Sequence, residues 1–111
     1  HEPILFGWRA DGTHDFYGDP GETSLWEINK PQHSDLHPTM KPVELYERAI
    51  SNSTHPGDIV MDLFGGSGTI LVACERQGRT AVAVELDPRY VDVAVDRWQA
   101  LTGQTAVLER S

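Results

Sequence analysis

The feature that most constrains this chain is a short apolar run that breaks into a glycine-rich turn, within residues 58–69. The run 59–64 is apolar except for Asp62, which is typical of a strand buried on both faces in a parallel sheet. The turn 65–68 reads Gly-Gly-Ser-Gly and leads into an apolar helical pattern. Glycines let backbone N–H groups approach a ligand, and a helix N-terminus adds positive potential. The stretch therefore favours a nucleotide-type ligand site.

Helices are predicted on either side of this strand. Apolar spacing gives three of them, over about 42–50, 67–77 and 88–102. Ser67 or Thr69 can cap the second helix, and Asp87 can cap the third. Gly78 and Gly103 are natural C-terminal stops.

Strands are predicted between and before the helices. The β-branched run 80–84 predicts a second strand and 105–108 a last one, so the order of elements indicates a parallel α/β sheet. Short apolar stretches with turn signals between them predict antiparallel strands in the N-terminal part, at 3–8, 14–17 and 24–28. We therefore divide the chain into a strand and turn segment, 1–35, and an α/β half-domain, 36–111.

Two acidic residues lie at the ends of the predicted strands. Asp62 needs a partner because burying an unpaired carboxylate is costly; it would either cap the amides of the glycine turn or bind a cationic ligand group. Glu85 follows Gly68 by 17 positions, close to where nucleotide-binding α/β folds carry the acid that holds a ribose diol. Two hydroxyls facing one carboxylate form charge-assisted hydrogen bonds. A strand-end acid in solvent is the alternative, and the nearby glycine turn favours ribose binding.

The glycine spacing decides among cofactors. A dinucleotide fingerprint requires a third glycine where Leu71 stands, and a Walker A loop requires a Lys that this turn lacks. Both common phosphate-binding motifs therefore fail at specific positions. What remains suits an adenosine ligand without a phosphate, such as S-adenosylmethionine.

A proline-bounded loop, 37–42, precedes the first helix. Thr39 and Lys41 either contact a carboxylate or phosphate of a ligand, or belong to a rigid loop with Lys41 solvated. Just before it, His33, Asp35 and His37 raise the question of a metal site. Prolines flank this group and no Cys lies nearby, so we predict no metal ligands here.

Composition narrows the functional classes. A formal net charge of −8 argues against strong nucleic-acid binding by this piece alone. The single Cys74 excludes an internal disulfide and fits an intracellular protein, with core packing as its role. No apolar run is long enough to span a membrane, so we predict no membrane partner and a cytoplasmic location. That the cell is prokaryotic or phage-infected is implied only by the family resemblance given next.

Three motifs in this order resemble the C-terminal part of the β-class DNA amino-methyltransferases, which modify N6 of adenine or N4 of cytosine. They are His-Pro-Thr-Met-Lys-Pro at 37–42, Asp-Leu-Phe-Gly-Gly-Ser-Gly-Thr at 62–69 and Val-Glu-Leu-Asp-Pro-Arg-Tyr at 84–90. Residues 1–5 also resemble the strand that precedes the family's variable recognition segment. On that basis, 9–35 would hold a short version of that segment.

The resemblance implies a Rossmann-like methyltransferase fold and a role for each matched residue. The stretch 62–69 would wrap the methionine part of S-adenosylmethionine, with Phe64 between the cofactor and the target base. Glu85 would hold the ribose hydroxyls and Leu86 would lie against the adenine. The full implied set is Thr39, Lys41, Asp62, Leu63, Phe64, Gly65, Gly66, Ser67, Gly68, Thr69, Glu85 and Leu86.

One departure from the family limits what this chain can do. The family's catalytic motif is Asp, Asn or Ser followed by Pro-Pro and an aromatic residue, and this sequence contains no Pro-Pro. That motif would hydrogen-bond and stack on the flipped base. We therefore predict a cofactor-binding half without catalytic residues. The resemblance implies that the complete protein acts on double-stranded DNA and can form a homodimer.

Two other functions stay open at this stage. The chain could be a non-catalytic module that binds S-adenosylmethionine as a sensor or supports a partner. It could also serve a methyltransferase for RNA or a small molecule, although the loop at 37–42 argues against this by resemblance.

Overall fold

A computed structural model of the chain describes residues 3–13, 15–22, 25–28 and 41–110. These residues form three helices and two strands in alternating order. The elements are α1 (Val43–Ser53), β1 (Ile59–Asp62), α2 (Thr69–Gln77), β2 (Thr80–Ala83) and α3 (Pro88–Thr102). The fold is α/β, as predicted, and the three helices and both central strands lie where their sequence patterns place them.

The two strands pair in parallel, with Ile59 opposite Thr80 and Asp62 opposite Ala83. One face of this sheet is covered, since Val60 and Ala81 pack against the core. The other face is open within the described part of the chain, where Ile59 is 70% and Met61 63% exposed. The prediction that β1 is buried on both faces is therefore wrong, because α1 and α2 pack on one side only.

The core lies between this covered face and the first two helices. It is built from Ile50 of α1 and from Ile70, Ala73 and Cys74 of α2. Burial raises the pKa of the Cys74 thiol, which is 1% exposed. Cys74 is therefore a packing residue, as the sequence predicts.

The helix caps differ between α2 and α3. Asp87 caps α3 as predicted, accepting a hydrogen bond from the backbone N–H of Arg89 at 2.9 Å. The N-cap of α2 is Gly68, and no side chain caps this helix. The prediction that Ser67 or Thr69 caps α2 is wrong, because both hydroxyls bond elsewhere.

The predicted outer strands are also wrong. The described residues of 3–28 contain no strand, and 105–108 runs alongside α3 without pairing. Leu5 is 95% exposed, and the described residues supply no partner strand for its segment, which a stable strand requires. At the other end, the backbone N–H of Ala106 donates to the side chain of Gln99 at 2.8 Å instead of to a strand.

Part of the N-terminal segment packs against α1 through polar contacts. The N–H of Tyr17 donates to the carbonyl of Asn52 at 2.7 Å, and Arg48 donates to the Glu22 carboxylate. The Arg48 guanidinium also lies 4.7 Å from the centre of the Trp26 ring. These contacts attach Tyr17, Glu22 and Trp26 to the first helix of the α/β unit. None of the three described helices has the length and hydropathy needed to cross a bilayer.

The glycine turn approaches α3 closely. A Cβ placed on Gly68 would lie 2.5 Å from the Cβ of Ala94, and Gly68 has a φ of +82°. We expect Gly68→Ala to lower the free energy of unfolding by about 2–4 kcal/mol, the sum of left-handed strain and overpacking. Urea denaturation measures this loss.

Gly78→Ala is the matched control, because Gly78 has a φ of +73° but nothing within 4 Å of its added Cβ. We expect it to cost only the backbone strain, about 1–2 kcal/mol. Adding Ala94→Gly to Gly68→Ala should recover only part of the packing loss, because the added Cβ still lies 2.9 Å from the Cα of Ala94 and glycine inside a helix costs about 1 kcal/mol. Equal losses at both glycines would contradict the close contact with α3.

Candidate ligand-binding site at the glycine turn

The glycine turn is held against the end of β2 by backbone hydrogen bonds. The N–H of Gly65 donates to the carbonyl of Val84 at 2.8 Å, and the N–H of Gly68 donates back to Gly65 at 2.9 Å. Gly66 and Gly68 adopt left-handed conformations, with φ of +56° and +82°. Among the described residues, a Cβ on Gly66 would meet nothing within 4 Å, so in this part of the structure the turn is open on that side. Glycine adopts these two positive φ angles without strain.

Glu85 joins the glycine turn to the start of α3. Its Oε1 accepts the N–H of Gly66 at 2.8 Å, and its Oε2 accepts the N–H of Asp87 at 2.7 Å. An ionised carboxylate has about four acceptor positions, so each oxygen can accept one further hydrogen bond. The carboxylate is therefore fixed in orientation and still able to receive two ligand hydroxyls.

Asp62 bonds the backbone just before the glycine turn. Its Oδ1 accepts the backbone N–H of Phe64 at 2.9 Å, and the residue is half-buried. The Asp62 carboxylate thus bonds the amide just before the glycine turn, and its binding of a cationic ligand group stays a prediction. Asp62 ends β1 and Glu85 lies two residues after the neighbouring end of β2, so two carboxylates flank one glycine turn.

Exposed apolar side chains follow both strands. Leu63 and Phe64 come after β1 and are 58% and 87% exposed, and Leu86 comes after β2 and is 98% exposed. Side chains of this kind beside a polar cradle suit a ligand with an aromatic ring, since the ring would cover them.

Ser67 and Thr69 point inward. They are 4% and 3% exposed, and both hydroxyls accept hydrogen bonds from Nη1 of Arg97, at 3.1 and 3.2 Å. The Thr69 hydroxyl also lies 3.4 Å from the carbonyl of Lys41, to which it donates. Their side chains therefore hold the turn from behind, and the open side is formed by the backbone.

Sequence reasoning missed Arg97. It lies three residues after Ala94, on the face of α3 that contacts the turn. A cation next to the apolar stripe of an otherwise amphipathic helix was the available signal. Nothing in the local sequence says which residues such a cation would bind.

Of the two predicted loop residues, only Lys41 can be placed: its half-buried backbone adjoins the first residue of α2. Thr39 lies outside the described residues, as do His33, Asp35 and His37. Among the residues that the structure covers, no group of three His, Cys, Asp or Glu side chains could hold a metal ion.

The chemistry of this site follows from its outer groups. The side chains at the turn offer carboxylate acceptors, whereas the Arg97 cation is committed to the oxygens behind it. Such a site favours hydroxyl and cationic groups of a ligand over phosphate.

Comparisons with known proteins agree with this geometry. A family model described as DNA methylase matches residues 13–96. The type II methyltransferase M.Cfr9I of Citrobacter freundii is 38% identical over 99 residues, which cover 88% of this chain and 33% of that protein. The chain thus spans about a third of the length of this curated relative.

Two solved structures are also similar. The crystal structure of an M1.HpyAVI–SAM complex aligns with a TM-score of 0.66 at 34% identity, covering 77% of this chain and 43% of that one. The PvuII DNA methyltransferase, which is cytosine-N4-specific, aligns with a TM-score of 0.59 at 30% identity. The alignment covers 67% of this chain and 30% of that one. The parallel strands, the turn and the flanking helices therefore form part of a methyltransferase fold.

The double hydrogen bond of Glu85 is testable without a ligand. In Glu85→Gln only the amide oxygen accepts well, so the N–H of either Gly66 or Asp87 loses its partner. We expect the free energy of unfolding to fall by about 1–3 kcal/mol and exchange of that amide with solvent to accelerate. Urea denaturation and amide hydrogen exchange measure the two effects.

Glu75→Gln is the matched control, since Glu75 is an exposed acid on α2. We expect its effect to stay within about 0.5 kcal/mol. Unchanged exchange at both amides in Glu85→Gln would show that Glu85 does not hold the turn.

Proposed function

This chain belongs to the DNA methylase family that comprises N6-adenine and N4-cytosine methyltransferases, and we propose that it is the S-adenosylmethionine-binding portion of a site-specific DNA methyltransferase. In this proposal, residues 36–111 are the cofactor-binding half-domain. Residues 1–35 are the end of a catalytic region and a short recognition segment. The contacts of Tyr17 and Glu22 with α1 support a placement of these residues beside the cofactor half.

The observation that carries the proposal is the orientation of Glu85 beside the open glycine turn. S-adenosylmethionine presents a ribose diol, an adenine ring, an ammonium and a sulfonium group, and no phosphate. Glu85 would accept the two ribose hydroxyls at its remaining acceptor positions. The two carboxylates at the turn also favour the ligand's positive charges.

The other predicted site residues keep the roles that the resemblance implies. Exposed Leu86 would lie against the adenine and exposed Phe64 between the cofactor and the target base. The stretch 62–69 would wrap the methionine part. Thr39 and Lys41 would close the pocket from the preceding loop.

The whole protein would transfer a methyl group to an exocyclic amino group of adenine or cytosine in double-stranded DNA. The new bond joins the methyl carbon to the amino nitrogen while the carbon–sulfur bond breaks and the nitrogen loses a proton. The residue that hydrogen-bonds that amino group belongs to the Pro-Pro motif, which this sequence lacks. The matched relative is bacterial, which supports action in the bacterial cytoplasm. The complete protein would also be able to form a homodimer.

Calorimetric titration tests the cofactor. We expect saturable binding of S-adenosylmethionine and none of NAD, whose pyrophosphate would face two carboxylates without a basic partner. Asp62→Asn keeps an acceptor for the Phe64 amide but removes the charge, and we expect it to weaken binding about tenfold or more. Asp92→Asn, at an exposed acid on α3, is the control and should bind normally.

Circular dichroism establishes that each variant is folded. A folded chain that ignores S-adenosylmethionine, or that binds NAD equally well, would contradict the proposed cofactor.

The missing Pro-Pro motif predicts that this chain alone does not methylate DNA. We expect no transfer of tritium from labelled S-adenosylmethionine to double-stranded DNA, because no residue here holds the flipped base. Sustained turnover by the pure chain would contradict the division into cofactor and catalytic halves. A relative that contains all the family's motifs serves as the positive control.

A further inference from the structure

We propose that Arg97 is a positioning residue, which holds the glycine turn from behind in the shape that the ligand requires. The inference rests on the proposed function for the identity of that ligand. Arg97 itself lies away from the open side of the turn, so it acts through the turn and not by touching the ligand.

One guanidinium nitrogen of Arg97 contacts three oxygens at the junction of the glycine turn and α2. Nη1 of Arg97 lies 3.0 Å from the carbonyl of Ser67, 3.1 Å from its hydroxyl and 3.2 Å from the hydroxyl of Thr69. Both of these residues are almost fully buried. The contact therefore fixes the backbone between the glycine turn and the first residue of α2.

The same face of α3 supports the turn sterically. Ala94, one helical turn before Arg97, leaves no room for a side chain on Gly68. Ala94 thus limits how close the turn can approach, and Arg97 prevents it from moving away. Together they set the distance between the turn and α3.

The charge of Arg97 has no other described use. Burial lowers the pKa of its guanidinium, and none of the carboxylates in the described residues forms an ion pair with it. A half-buried cation held only by neutral oxygens polarises those hydrogen bonds and strengthens them. The cation is therefore committed to the turn.

Positioning has a specific consequence for binding. Glu85 bonds the N–H of Gly66 on the open side, and Arg97 bonds oxygens of the residues one and three positions after Gly66 on the opposite side. Loss of Arg97 would leave the turn attached on one side only. The free energy of ligand binding should then fall by more than the free energy of unfolding of the sheet and helices.

The experiment compares Arg97→Ala, Arg97→Lys and the control Arg76→Ala in the complete 111-residue chain. Arg76 is a half-exposed arginine on α2, paired with Glu47 at 3.4 Å, so its removal changes the net charge equally. Titration with S-adenosylmethionine measures affinity, and amide hydrogen exchange without ligand measures local order in residues 65–69.

We expect Arg97→Ala to weaken binding on the order of tenfold or more and to accelerate exchange in the turn but not in β1 and β2. Arg97→Lys keeps the charge but lacks the planar fork, and should lie between Arg97→Ala and the unsubstituted chain. Arg76→Ala should bind normally. Millimolar guanidinium chloride should restore binding to Arg97→Ala, an effect that a general loss of stability would not show.

A second variant tests the proposal even if Arg97→Ala does not fold. Ser67→Ala removes one of the acceptors and keeps the guanidinium, so its effect on binding should not add to that of Arg97→Lys. Binding by folded Arg97→Ala within twofold of the unsubstituted chain, additive effects in the pair, or exchange accelerated equally in β1 and β2 would overturn the inference.

The two proposals fail in different ways. Failure of the unsubstituted chain to bind S-adenosylmethionine would overturn the proposed function, while the exchange measurement would still decide whether Arg97 holds the turn. Normal binding by the unsubstituted chain and by Arg97→Ala would overturn only the role of Arg97.

Discussion

The hydrogen bonds from the amides of Gly66 and Asp87 to the Glu85 carboxylate are the contacts on which the site depends. They join the turn after β1 to the residue that caps α3, so one side chain connects both halves of the strand–helix–strand–helix unit. Because the backbone groups on both sides are donors, the connecting group has to be an acceptor with two oxygens. Structural support and ligand recognition therefore call for the same residue type at position 85.

The charges around the turn are arranged in two layers. On the open side are carboxylates and exposed apolar side chains, and behind the turn is the Arg97 cation, which is occupied by the turn's own oxygens. A phosphate-binding loop places its cation on the ligand side instead. The separation of charge across the turn explains why a glycine turn at a helix N-terminus suits a cationic nucleoside in this chain.

Local sequence signals located the central elements because each depends on neighbours in the chain. Asp87 as a cap, Gly78 as a stop and the strand before the glycine turn were all predictable in this way. The strands predicted in the N-terminal part do not form in its described residues. Apolar alternation indicates an extended segment without saying whether a partner strand is present. The inward hydroxyls of Ser67 and Thr69 were also missed: their partner lies about 30 residues away, on a different helix.

The central claim is that the glycine turn is already ordered without a ligand, held by Glu85 on one side and by α3 on the other. The most direct measurement is the backbone order parameter of Gly66 and Gly68 from nitrogen-15 relaxation of the unliganded chain. The account predicts values near those of α2, about 0.85. Values below about 0.6, typical of flexible backbone, would contradict it and would mean that a ligand has to build the turn as it binds.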